Sequence, residues 1–195
     1  MRGRGALGAA AGAVLLMVSV VACGGGDSGA GEATAARSTP VAEFNEADAR
    51  FASEMILHHQ QATQLASMAG YRAGSAQVKQ LAAKIGAAQE PEIKLLSTWL
   101  VGWGKPTPQQ EHGHVEELPG MMTEDELHEL GNLSRSAFDR AWLQRMIKHH
   151  QGAVTMAKAH RTAGKSPAAV ALAQKIELAR TQEIPVLQRQ LQRAG

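Results

Sequence analysis

Two copies of one short signature carry most of the chemistry available to this chain: Met55-Ile56-Leu57-His58-His59-Gln60 and Met146-Ile147-Lys148-His149-His150-Gln151. Each places a thioether and two imidazoles within about a turn and a half of helix. Thioether sulfur selects soft ions and imidazole suits copper, so the set is fitted to a soft metal. The candidate ligands are Met55, His58, His59, Met146, His149 and His150.

The two copies belong to longer repeats. An offset of about 91 residues carries Asp48 onto Asp139, Phe51 onto Trp142, Ala62 onto Ala153, Leu81 onto Leu172, Lys84 onto Lys175 and Glu92-Ile93 onto Glu183-Ile184. At about 100° per residue, Phe51, Met55, His58, His59, Ala62, Ala66 and Ala69 share one helix face, as do Trp142, Met146, His149, His150, Ala153, Ala157 and His160. Small residues at 62, 66, 153 and 157 leave room for close helix approach, so the Met-His-His clusters are expected to face each other across a core. Four buried imidazoles need partners for up to eight ring nitrogens, and each one left unmet costs about 1–3 kcal/mol. A bound ion removes that cost; packed methionines and hydrogen-bonded core histidines are the alternative.

The donor types narrow the ion. A di-iron carboxylate bundle uses Glu-x-x-His, whereas here Met-x-x-His stands at Met55/His58 and Met146/His149, and the nearby Glu54 faces Arg145 in the alignment, so no carboxylate beside the motif is duplicated. The neutral set favours Cu(I), with Cu(II) and Ag(I) also accommodated. Every histidine, and every methionine beyond Met17, lies between Met55 and His160. His112, His114, Met121, Met122, Met156 and His160 are therefore further candidate ligands. Met121 and Met122 fall in a turn able to fold over the bundle.

The elements that must position these groups are helical. Asn45 with Asp48 forms a capping box for a first helix running to about Ala69, where Gly70 and Gly74 break it. Ser75 opens a second helix in which Pro91 should produce a kink or interruption. Thr123 with Glu126 starts a short helix, Ser136 with Asp139 starts a long one to about Thr162, and Ser166 caps the last, with Pro167 in its first turn. The expected fold is all-α, a four-helix bundle of two duplicated helical hairpins packed about a pseudo-two-fold axis. Its parts are repeat one at 44–100, an inter-repeat loop at 101–122, a short inter-repeat helix at 123–132 and repeat two at 136–193.

The N-terminus reads as a processing signal. Arg2 and Arg4 precede an apolar run from Ala6 to Ala22, too short for a confident membrane span. Val20-Val21-Ala22-Cys23 resembles the lipobox of bacterial lipoproteins, which makes 1–22 a signal peptide and Cys23 the lipidation site. Residues 23–43, mostly Gly, Ala, Ser and Thr, read as a flexible tether with a span on the order of 25 Å. As the single cysteine, Cys23 excludes an internal disulfide and any Cys-based zinc or iron–sulfur site. Without Arg2 and Arg4 the basic count falls from 20 to 18 against 18 acidic residues, and no basic face for nucleic acid emerges.

The motifs together resemble the family known as domain of unknown function 305, ferritin-like helical bundles common in bacterial envelopes. The matching residues are Phe44-Asn45 and Asp48, Met55-Ile56 with His58-His59-Gln60-Gln61-Ala62, Pro119-Gly120-Met121-Met122-Thr123, and Phe138-Asp139 followed by Met146 to Ala157. The resemblance implies a ferritin-like bundle and, through members associated with copper resistance, copper binding by Met and His. Leu65 and Leu118 stand where the family often has Met, which lowers the thioether count.

The sequence thus describes a bacterial envelope lipoprotein, anchored to the membrane on its extracytoplasmic side. Its bundle binds copper for buffering, storage or resistance and exchanges it with an envelope copper-handling protein. No nucleophile beside a base and no phosphate-cradling Gly loop stands out. Two other classes remain open: a copper-dependent redox enzyme and a metal-free helical interaction module.

Overall fold

The computed structural model describes residues 43–108 and 117–194. The expected signal peptide, Cys23, the expected tether up to residue 42, His112 and His114 lie outside the described residues. Five helices follow one another: α1 Glu46–Arg72, α2 Ala76–Gly102, α3 Glu124–Asn132, α4 Arg135–Ala163 and α5 Pro167–Arg193. Among the described residues there is no strand, and no helix is long and apolar enough to cross a membrane. The architecture is the expected ferritin-like four-helix bundle, with α1–α2 and α4–α5 as hairpins, α1 packed on α4, and the short α3 between the repeats.

Three local expectations are corrected. Helix α1 runs through Gly70 to Arg72, because one exposed glycine costs only about 1 kcal/mol against a long packed face. Gly74 is needed for another reason: a Cβ there would sit 2.9 Å from the Arg135 Cα. Helix α2 continues through Pro91, as α5 does through Pro185. Each proline forfeits a backbone bond, and buried side chains on both sides, Ile85 and Leu96 on α2 and Ile176 and Leu187 on α5, hold the helix together.

The Ser136–Asp139 capping box does not form. Helix α4 starts earlier, with Ser134 at its N-cap making no side-chain cap bond and Arg135 at φ 54°. The Asp139 carboxylate is engaged elsewhere, accepting from the backbone N–H of Gly74 at 3.0 Å and of Ser75 at 2.8 Å. Its repeat-one counterpart Asp48 does form the box with Asn45 and also accepts from the N–H of Lys165 and Ser166, both at 3.0 Å. Each carboxylate therefore caps the turn of the other hairpin, which fixes α1 and α4 antiparallel.

The apolar interior is divided. One cluster gathers Leu65, Val78, Ile85, Phe138, Trp142, Met146 and Leu187, and the other Phe51, Met55, Ile56, Leu96, Ala153, Ala157 and Ile176. Along every long helix a pair of polar residues stands between these clusters. They are His58 and His59 on α1, Gln89 and Glu92 on α2, His149 and His150 on α4, and Arg180 and Glu183 on α5. A polar tier crosses the middle of the bundle.

Candidate metal centre

All six primary candidates are buried: Met55 and Met146 at 0 % exposure, His58, His59 and His149 at 1 %, and His150 at 0 %. Helical periodicity turns them inward, and the alanines beside them allow α1 and α4 to approach. The His58 and His149 rings meet at a centroid distance of 3.8 Å, tilted by 40°. The imidazoles of the two repeats thus face each other as expected, while the thioethers do not: Met55 belongs to one apolar cluster and Met146 to the other.

The outer pair of imidazoles is held by carboxylates. His59 Nε2 lies 2.7 Å from Glu92 Oε2, and His150 Nε2 lies 2.7 Å from Glu183 Oε2. The buried Arg180 guanidinium joins the two, donating to Glu183 Oε2 at 2.9 Å and to Glu92 Oε2 at 3.2 Å. A carboxylate can only accept, so it assigns the proton to Nε2 of each ring and leaves Nδ1 with a free lone pair. Both Nδ1 atoms are buried and make no hydrogen bond. This is the arrangement by which outer carboxylates orient metal-binding histidines and raise their basicity. Although no carboxylate beside the motif is duplicated, the aligned pair Glu92 and Glu183 reaches the tier from the second helix of each hairpin.

The inner pair is held differently. His58 Nε2 lies 3.2 Å from the Pro119 carbonyl, which likewise assigns the proton to Nε2, and His149 Nε2 is buried without a partner. Burial pushes the His58 pKa down to about 3, with His59 adding to the shift and the Pro119 bond opposing it. Burial, with the neighbouring rings of His58, His150 and His59, holds His149 well below its ordinary range. Burial also lowers His59 and His150, against the opposing pull of their carboxylates. Burial alone would raise Glu183, yet bonds from His150 and Arg180 bring it below the usual carboxylate range. All four imidazoles are held neutral, and those of His59 and His150 each keep an unshared Nδ1 lone pair, the state a metal requires.

The inter-repeat turn closes over this tier. Gln61 clamps Met122 through two 2.9 Å bonds, donating to its carbonyl and accepting from its N–H. At the equivalent place in repeat two stands Gly152, where any Cβ would overlap the Pro119 carbonyl. Met121 and Met122 are buried beneath the turn, at 4 % and 3 % exposure. Met156 and His160 lie apart from the tier, in the wall of a surface groove of about 300 Å³ near the start of α1. His160 stacks on Phe51 at 4.1 Å and its Nε2 lies 3.3 Å from Asp48 Oδ1, outside hydrogen-bond geometry.

Among the described residues, no three His, Cys, Asp or Glu side chains converge closely enough to hold an ion by themselves. An ion in the tier would draw on thioether sulfur or on rotation of the imidazoles. The donor chemistry still fits a soft ion: neutral nitrogen lone pairs without partners lie between two apolar clusters, each containing a methionine from the motifs.

Sequence and fold comparisons agree on the relatives. The family model described as Domain of unknown function (DUF305) matches residues 48–191. A DUF305 protein from Streptomyces coelicolor, assigned as secreted, superimposes with a TM-score of 0.69 at 29% identity, over 76% of this chain and 94% of that one. A DUF305 fragment from Deinococcus radiodurans does so with a TM-score of 0.70 at 29% identity, over 76% and 97%. CopM in the Cu(II)-bound form matches with a TM-score of 0.63 at 33% identity, over 75% and 96%, and its Cu(I)-bound and Ag-bound forms also match. No curated protein matches the chain. With most of its length covered by the family model and by these structures, the chain belongs to the DUF305 family.

Proposed function

We propose that this protein binds copper, preferentially Cu(I), in the histidine tier and serves as a buffer or store in the bacterial cell envelope. The observation that carries the reading is the pair of buried, neutral imidazoles of His59 and His150, whose Nε2 protons are committed to Glu92 and Glu183 while their buried Nδ1 atoms have no hydrogen-bond partner, beside the facing rings of His58 and His149. Met55 and Met146 supply thioethers from above and below, and Met121 and Met122 stand in reserve under the turn. The copper- and silver-bound forms of CopM support the same chemistry for this chain. The lipobox-like Val20-Val21-Ala22-Cys23 and the secreted Streptomyces relative support export, with residues 1–22 removed, Cys23 lipidated and 23–43 acting as a tether.

The test is an anaerobic Cu(I) titration against a competing chelator, followed by metal analysis. It is run on wild type, on His58→Ala/His59→Ala, on His149→Ala/His150→Ala and on the variant that combines all four substitutions. One shared site predicts that each double variant loses nearly all tight binding. Copper retained after removal of all four imidazoles would place the main site elsewhere and overturn the reading.

A further inference from the structure

The polar tier departs from the pseudo-two-fold symmetry at one position. Arg180 of repeat two corresponds to Gln89 of repeat one, and both are buried, at 2 % and 1 % exposure. The tier therefore accommodates a glutamine at this place, as the Gln89 side chain demonstrates with its Oε1 making no hydrogen bond. An arginine at the second place adds one permanent positive charge between two carboxylates.

We propose that Arg180 sets the charge of the ion the tier accepts, selecting a monovalent over a divalent cation. Glu92 and Glu183 contribute two negative charges, Arg180 one positive, and the Nε2–H imidazoles none, so the tier carries a net charge of one negative. A monovalent soft ion brings it to neutrality. A divalent ion leaves an uncompensated positive charge in a poorly solvated interior, which is costly. The guanidinium also engages the Oε2 atom of each carboxylate. Those oxygens are thereby kept as hydrogen-bond acceptors for the imidazoles and withheld from the harder ions that prefer oxygen. Without Arg180 the same residues would form a doubly negative site of two carboxylates and two imidazoles, matched to a divalent ion.

The proposal rests on the reading that the tier takes a metal, and the experiment separates the two. Affinities for Ag(I) and Cu(II) are measured by competition titration on the full-length protein as wild type, R180K, R180Q and R180Q/E183Q, with circular dichroism to confirm folding. The ratio of Ag(I) to Cu(II) affinity should fall by at least about tenfold in R180Q, since one unit charge is removed near a partly solvated site. It should stay near the wild-type value in R180K, which keeps the cation. It should return toward that value in R180Q/E183Q, which restores the net charge without the guanidinium. Should R180Q fail to fold, the double variant carries the test, and a preference for Cu(II) there would overturn the proposal. A folded R180Q with an unchanged ratio would overturn it as well, while leaving metal binding intact. Wild-type protein that binds neither ion would overturn both.

Discussion

Asp48 and Asp139 hold each other's hairpins: the carboxylate of Asp48 accepts from the backbone of Lys165 and Ser166, and that of Asp139 from the backbone of Gly74 and Ser75. The bonded residues are equivalent under the repeat, so the clasp was duplicated with the domain. Charge-assisted bonds to buried N–H groups are stronger than neutral ones, and removing the acceptor strands the donors. Asp48→Ala and Asp139→Ala should each lower stability by about 2–4 kcal/mol in urea unfolding, with the Asn variants losing less. A loss under about 0.5 kcal/mol in either would show that the turns hold without the clasp.

That clasp also shows where the sequence was legible. The repeat, the hairpins, the capping boxes at Asn45 and Thr123 and the inward histidines follow from periodicity and cap chemistry. Ser136–Asp139 has the same local pattern, but Asp139 makes its bonds to a turn 64 and 65 residues away, which no local rule detects. Gly70 and Pro91 suggest breaks that tertiary packing overrides. Glu92 and Glu183 were visible as an aligned pair, each 33 residues after its histidine, and that common separation was the available signal. Arg180 had none, since its repeat counterpart is Gln89 and only the fold brings it between the carboxylates.

The sulfur ligands can be isolated from the packing. Met55→Leu with Met146→Leu conserves volume in two separate apolar clusters, so each change should cost less than about 1.5 kcal/mol. Affinity for Cu(I) and Ag(I) should nevertheless fall much more than affinity for Cu(II), which the imidazoles still serve. Competition titrations with all three ions decide it. An equal loss for each ion, or none, would leave both methionines as core residues.

The closing turn has a single point of weakness. Any side chain at Gly152 would overlap the Pro119 carbonyl, the partner of His58 Nε2. Gly152→Ala should displace the turn, free His58 from its acceptor and speed amide exchange at Gly120 and Met121, while the four long helices persist. Faster metal release in stopped-flow chelation is the expected functional consequence. Unchanged exchange and unchanged release would mean that the turn does not cover the tier.

The anchor is tested at one atom. Cys23→Ala removes the sulfur to which acyl chains would attach, and membrane retention depends on those chains. The variant should move from the detergent phase to the aqueous phase and should lose incorporation of a labelled fatty acid. Partitioning identical to wild type would rule out lipidation at this position.

The buried imidazoles give the metal-free protein a defined acid lability. His58, His59, His149 and His150 all have lower affinity for protons when folded than the ordinary histidine value of about 6.5. The unfolded chain therefore takes up protons first as pH falls. The contribution to stability is fully present above about pH 6.5 and is lost progressively below it, continuing for His58 toward about 3. Each imidazole that stays neutral adds a slope approaching about 1.4 kcal/mol per pH unit. Between about pH 6.5 and 5, where ordinary carboxylates remain ionised, the urea midpoint of the metal-free protein should fall steeply. His58→Gln with His149→Gln should flatten that fall, and bound Ag(I), which holds only the folded state, should raise the midpoint while leaving the onset at about pH 6.5, where the unfolded chain begins to take up protons. A midpoint independent of pH across this window would mean that the four rings are not held neutral in the core.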